Sequence, residues 1–177
     1  TASISAVEFL KTHGIQAKIK WPNDIYVGTK KIGGILIENN IRGTGISSSI
    51  IGIGLNVNQR NFDVNLPNPT SVILERENFT HHGKDVASLD LRSCLNGFMD
   101  IFVSYIKELP FRNLRDNYLA HLMRLNVHSI FIDYATSPAR QFRGMIRGVS
   151  PSGLLSVEDT EKGELKEFAF KEIAYII

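Results

Sequence analysis

Three short stretches combine residue types that could bind or activate a small anionic substrate. Lys31 stands just before Gly33-Gly34 and a run of β-branched residues, Ile32, Ile35 and Ile37. An ammonium over a glycine-lined floor suits a phosphate or a carboxylate, because it is a compact point charge. The bland alternative is a solvated lysine in the hairpin turn Gly28-Thr29-Lys30-Lys31. The second mark is Lys20-Trp21-Pro22-Asn23-Asp24. Pro22 fits the second position of a tight turn, and Asn23 and Asp24 then put an amide and a carboxylate in a rigid place. They could meet a nucleotide base or a reacting amine, or they could be turn chemistry alone. The third mark is Gly52-Ile53-Gly54-Leu55-Asn56. Read as a strand from Ile46 to Asn58, its odd positions are apolar, while Gly52, Gly54, Asn56 and Asn58 are tiny or amide-bearing. Side chains alternate faces with period two. One face is therefore core and the other is bare backbone ending in amides. Interior glycines mark close approach by a ligand, a bulge or a tight sheet crossing.

The elements that must hold these marks follow from the flanking pattern. Ser3 to Thr12 has helical apolar spacing through Ile4, Val7 and Leu10, and Gly14 stops it. Ala17 to Lys20, Ile25 to Val27 and Lys31 to Glu38 read as strands joined by turns. Asn39 to Ser49 is polar and glycine-bearing and reads as a hairpin loop. Thr70-Ser71 caps a short helix to about Glu77. Ser88 to Leu109 is a strong amphipathic helix, with Leu91, Leu95, Phe98, Phe102, Tyr105 and Leu109 as one core stripe. Pro110 ends it, and Phe111, Leu114, Tyr118 and Leu122 mark a second helix. From about residue 125 the chain turns to short β-rich runs, Ser129 to Tyr134, Gln141 to Val149, Leu154 to Glu158 and Glu164 to Phe170. These predict a small barrel. Arg140, Arg143 and Arg147 either touch a ligand or form a solvated strand face. The His81-His82 pair has no third metal ligand near it in sequence.

Composition bounds the rest. The 177 residues carry a net charge of +2, which makes no electrostatic case for nucleic acid. The single cysteine, Cys94, excludes an internal disulfide and reads as a buried thiol in a reduced, cytoplasmic setting. No run is long and apolar enough for a membrane helix.

Taken in order and at this spacing, KWPND, KxGGIL and GIGLNVN closely resemble the catalytic domain of biotin protein ligases. The resemblance implies an α+β fold: a mixed or antiparallel sheet covered by helices, of the class II synthetase-like kind. A small Src-homology-3-like β-barrel would follow it. It places a partial catalytic domain at 1–125 and the barrel at 126–177. It further implies ATP-dependent conversion of biotin to biotinyl-5′-AMP with magnesium, then transfer to a lysine of a biotin carboxyl carrier protein. Lys31 matches the lysine that contacts the biotin carboxylate and the activated phosphate. Asn23 and Asn56 match adenylate-side contacts, and Asp24 the acidic residue that assists phosphate or amine chemistry. Gly34, Gly52 and Gly54 match close-approach glycines. No protein-only metal site is implied, and a homodimer is one assembly the resemblance allows. The family's glycine- and arginine-rich loop, which precedes KWPND, is absent from these residues. The expectation is therefore a C-terminal part of a ligase, impaired when alone. Lipoate ligases share the strategy, and a non-catalytic module that binds a carrier protein is the rival from another class.

Overall fold

The computed structural model describes residues 1–43, 45–79, 86–108 and 113–176. The chain divides into two compact units, Thr1–His121 and Leu122–Ile177. Both are built on antiparallel sheets, and among the described residues helices occur only in the first, giving an α+β architecture.

In the first unit, α1 (Ala2–Thr12) ends where Gly14 takes a φ of +78°, a left-handed value that only glycine reaches without strain. Its apolar face, Ile4, Val7 and Leu10, is buried. The sheet runs β1 (Lys18–Lys20), β2 (Asp24–Val27), β3 (Lys30–Arg42) and β4 (Gly45–Leu55), in that order from edge to edge. Ile19, Ile25, Ile32 and Ile35 turn their side chains into the core beneath α1. Two helices follow the sheet, α2 (Val72–Phe79) and α3 (Leu91–Lys107), and then a shorter α4 (Leu114–His121). Asp90 caps α3, accepting a hydrogen bond from the Ser93 N–H at 2.9 Å.

Two expectations need correction here. Asn39 to Ser49 is not a loop: β3 and β4 stay paired as far as Arg42 and Gly45. Short polar side chains tie the strands together where apolar alternation fails. Ser49 donates to Asn39 Oδ1 at 2.6 Å, and Asn40 donates to Ser48 Oγ at 3.0 Å. The α3 stripe is also covered over only part of its expected length. Phe98, Phe102 and Tyr105 face the core as expected, but Leu91 and Leu95 are 60% and 59% exposed, and Cys94 and Ile101 pack inward beside the stripe. Phe98 meets Phe9 edge-on at 6.2 Å. A shallow apolar trough of about 380 Å³ remains between β4 and α3, lined in part by Ile51, Ile53, Leu91, Leu95 and Met99. His81, His82, Leu109, Pro110 and Phe111 lie outside the described residues.

The second unit is a five-stranded antiparallel sheet in the order β8-β7-β6-β5-β9. The strands are β5 (His128–Asp133), β6 (Arg140–Val149), β7 (Leu155–Asp159), β8 (Glu164–Phe168) and β9 (Ile173–Tyr175). Phe131, Phe142, Ile146, Leu155, Val157 and Phe168 form its core. The expected closed barrel is not found: among the described residues no ladder joins β8 to β9. The strand β9 is only three residues long and carries no alternation to read. Gln141, Arg143 and Arg147 are exposed on one face, as the bland reading expects. Arg147 bonds Glu158 at 2.6 Å, and Arg140 pairs with the buried Asp159. These two arginines serve the unit itself.

Candidate functional site

The site is assembled on one face of the first sheet. Asp24, Gly34 and Gly54 lie directly opposite one another on β2, β3 and β4. Paired residues on adjacent strands present the same face, so this row is a carboxylate followed by two positions without side chains.

Lys31 reaches that face through a β-bulge. Ile25 pairs with Gly33, but Tyr26 pairs with Lys31, so Ile32 is an extra residue in β3. Regular alternation would send Lys31 to the same side as Ile35, which is core. An inserted residue reverses the alternation beyond it. Ile32 is thereby buried and Lys31 emerges beside Asp24. Lys31 Nζ lies 2.6 Å from Asp24 Oδ1.

Lys31, Gly33, Gly34, Gly54 and Asn56 share one hollow of about 290 Å³. The expected floor and both of its polar margins are thus on the same side of the sheet. A side chain at Gly34 would intrude, since its Cβ would stand 3.3 Å from Asp24 Oδ1 and 3.6 Å from Lys31 Nζ. The far wall is the segment after β4, through Gln59, Phe62, Leu66, Pro67 and Pro69. Sequence reading treated most of that segment as a plain proline-bearing loop and missed it. The available signal was Pro67-Asn68-Pro69, where Asn68 takes a left-handed φ of +50° as the chain passes Lys31. The Lys31 N–H donates to Asn68 O at 2.7 Å, and the Thr70 N–H donates to Lys31 O at 2.8 Å.

The two asparagines are anchored before any ligand arrives. Asn56 Nδ2 donates to Thr70 O at 3.0 Å, and Asn23 Nδ2 donates to Ile35 O at 2.6 Å. A carboxamide has a second N–H and a carbonyl oxygen still to offer. Asn23 also accepts the Ile35 N–H at 2.9 Å, so the 21–23 turn is clipped to β3. Asn23, Asp24 and Gly52 do not line the hollow, and Asp24 meets it only through its ion pair with Lys31. Gly52 lies opposite Leu36, one step further along the same face. Asn58 serves the fold, exchanging bonds of 2.8 and 2.9 Å with the backbone of Leu89.

The hollow's volume lies at the lower end of small-molecule pockets, about 300–1,000 Å³. It is lined by one cation, Lys31, and two carboxamides, Asn56 and Gln59, with bare backbone between them, and the Asp24 carboxylate is paired with Lys31 beside it. That combination can seat a flat polar ligand bearing an anionic group.

Residues 1–58 match the model of the biotin/lipoate A/B protein ligase family. The bifunctional ligase/repressor BirA of Bacillus subtilis is 47% identical over 60 residues, 33% of this chain and 18% of that protein. The Escherichia coli BirA is 23% identical over 166 residues, 90% of this chain and 46% of that protein. The chain therefore spans less than half the length of these curated relatives. A solved biotin protein ligase from Aquifex aeolicus, in complex with biotin and ATP, superposes with a TM-score of 0.69 at 23% identity. That superposition covers 99% of this chain and 68% of the other. Residues 1–58 are thus similar in sequence to the biotin/lipoate A/B protein ligase family, and nearly the whole chain is similar in fold to a solved biotin protein ligase.

Proposed function

We propose that the chain belongs to an enzyme that activates biotin with ATP and passes the biotinyl group to a lysine of a biotin carboxyl carrier protein. The observation that carries this reading is the hollow itself. Lys31 and Asn56 face each other across glycine backbone in one cavity, as an acyl-adenylate requires.

In the first step a biotin carboxylate oxygen attacks the α-phosphorus of ATP. The bond to the bridging oxygen breaks and pyrophosphate leaves. Lys31 neutralises negative charge that builds on the phosphoryl oxygens, and its effect is strengthened where water is excluded. Gly34 and Gly54 let the ligand lie against the sheet, and Gly52 extends that clear strip along β4. Asn56 supports the adenylate side, and Asn23 stiffens the turn that carries Asp24. In the second step the acceptor lysine's amine attacks the acyl carbon and AMP leaves. Asp24, released from Lys31 by the arriving phosphate, takes up the amine's proton.

Magnesium would supply further charge neutralisation on the phosphates. Among the described residues no cluster of three or more metal-ligating side chains exists. The one carboxylate in the row beside the hollow, Asp24, is engaged by Lys31. A magnesium ion would therefore arrive on the phosphates, with few protein ligands, as that ion commonly does. No step of the protein chemistry is routed through it.

Residues 1–121 act in this reading as part of the catalytic domain, and 122–177 as the counterpart of the small Src-homology-3-like cap. Among the described residues no helix is long and apolar enough to cross a membrane. That and the single, buried cysteine support a cytoplasmic site of action.

The matched family also includes lipoate ligases, so the acid must be tested. Thermal protection by biotin with ATP, and none by lipoate with ATP, is the expected result. Protection by lipoate alone would reassign the substrate. Lys31→Ala, in the chain joined to the N-terminal part of a biotin ligase, should remove nearly all biotin-dependent exchange of pyrophosphate into ATP. Near-normal exchange would take Lys31 out of the mechanism.

A further inference from the structure

We propose that Glu75, acting through Thr70, is a positioning residue that holds the two margins of the hollow in register; this rests on the adenylate reading of the site. Thr70 touches both margins with its own backbone. Its N–H donates to Lys31 O at 2.8 Å, and its carbonyl accepts from Asn56 Nδ2 at 3.0 Å. Next to it, the Val72 N–H donates to Asn56 O at 2.9 Å. The orientation of the residue-70 backbone therefore sets both the height of the Lys31 strand and the angle of the Asn56 amide.

That orientation is fixed from below. Thr70 Oγ1 donates to Glu75 Oε1 at 2.5 Å. Thr70 is 1% exposed and Glu75 is 7% exposed. A buried hydroxyl and a buried carboxylate each carry a desolvation cost that only a partner offsets. An apolar pair of equal size would fill this space without that cost. What the polar pair adds is direction: the hydroxyl must point at the carboxylate, which leaves Thr70 one rotamer. Glu75 is held in turn by α2, where its N–H donates to Ser71 O at 3.0 Å. The first turn of a helix also favours a negative charge. Helix α2 thus acts as the fixed base, and Thr70 is the strut between it and the site.

The test uses the 177-residue chain with three variants, Thr70→Ser, Thr70→Val and the double Thr70→Val/Glu75→Met. The readouts are amide hydrogen exchange at Lys31 and Thr70, affinity for biotinyl-5′-AMP, and the melting temperature. Removing the hydroxyl should speed exchange at those two amides by roughly tenfold and weaken adenylate binding by about as much, the scale of one buried hydrogen bond. The β1–β2 ladder serves as the internal control and should keep its protection. Thr70→Ser should restore both readouts. The double variant removes the unpaired buried carboxylate, so its melting temperature should return toward that of the parent while fast exchange and weak binding persist. If the double variant also recovers slow exchange and tight binding, the pair merely fills the core and the proposal is overturned. If the parent chain binds no adenylate, the functional reading fails, and the exchange measurement still decides the positioning role.

Discussion

Asp24 Oδ1 sits 2.6 Å from Lys31 Nζ, directly beside the space where Gly34 has no side chain. The three residues form one unit: two charges and the gap through which a ligand reaches them. Neighbouring Gly33 has a different task, because its Cβ would stand 2.7 Å from Gly54 O. Gly34→Ala should therefore fold with a melting temperature close to the parent's and lose at least tenfold in affinity for biotinyl-5′-AMP. Gly33→Ala should unfold several degrees lower, since backbone must move to admit the methyl. Calorimetry and ligand titration on the two variants separate these outcomes, and equal losses in both properties for both glycines would contradict the division.

The Asp24–Lys31 pair should matter for chemistry far more than for stability. The two side chains are 23% and 43% exposed, and such pairs contribute about 1 kcal/mol or less. Asp24→Asn should shift the denaturation midpoint barely at all. It should slow transfer from preformed biotinyl-5′-AMP to a carrier lysine by about a hundredfold, the lower end of the range for a lost general base. Single-turnover transfer measured beside urea unfolding tests both halves.

Tyr118 on α4 packs against the first unit's core. Burial pushes its phenol from 10.0 up to about 12. The folded protein thus favours the neutral phenol, so its contribution is complete below pH 10 and disappears as pH rises toward 12. A shift of this size corresponds to about 2–3 kcal/mol. Alkaline unfolding should therefore be shallower in Tyr118→Phe between those limits. Identical alkaline profiles for the two proteins would show that the phenol is not desolvated.

The second unit has an acid-sensitive bond. Burial pushes Asp159 up, but Arg140 and the N–H groups of Glu161 and Lys162 outweigh it and hold the carboxyl below the usual range. Stability from this group is present above the ordinary carboxylate value and is lost as pH falls below it. Arg140→Met should lower the melting temperature at neutral pH and move the onset of acid unfolding upward. Tryptophan fluorescence would miss this, because Trp21 lies in the other unit; Phe131 and Phe142 methine signals in NMR would report it.

Much of the fold could be read from residue order because local chemistry and tertiary structure agree there. Gly14 ends α1, Asp24, Lys31, Gly34, Gly52 and Gly54 fall on strands, and β5 to β8 lie where apolar alternation puts them. The hairpin from 39 to 49 escaped because its strands are held by Asn–Ser side-chain bonds, and polar residues on both faces erase the period-two signal. Leu91 and Leu95 misled because an amphipathic stripe marks a face but not how much of its length is covered: Phe98 is covered by Phe9, while Leu91 and Leu95 line the open trough beside β4. At the site, the glycines and Lys31 were legible as types. The bulge at Ile32 that turns Lys31 outward depends on pairing with β2, and the wall from Gln59 to Pro69 depends on where a loop returns. Neither is local information.

Among the described residues β4 ends the first sheet, with its outer row of N–H and C=O groups facing away from β3. Ile46, Ile50 and Ile51 are exposed along it, and no lysine, proline or acidic residue interrupts Gly45–Leu55. An edge of that kind has none of the gatekeepers that keep β-proteins from adding to one another. Left uncovered, the chain will associate strand to strand and come out of solution as its concentration rises, and an Ile50→Lys change is the first remedy for anyone who must purify it.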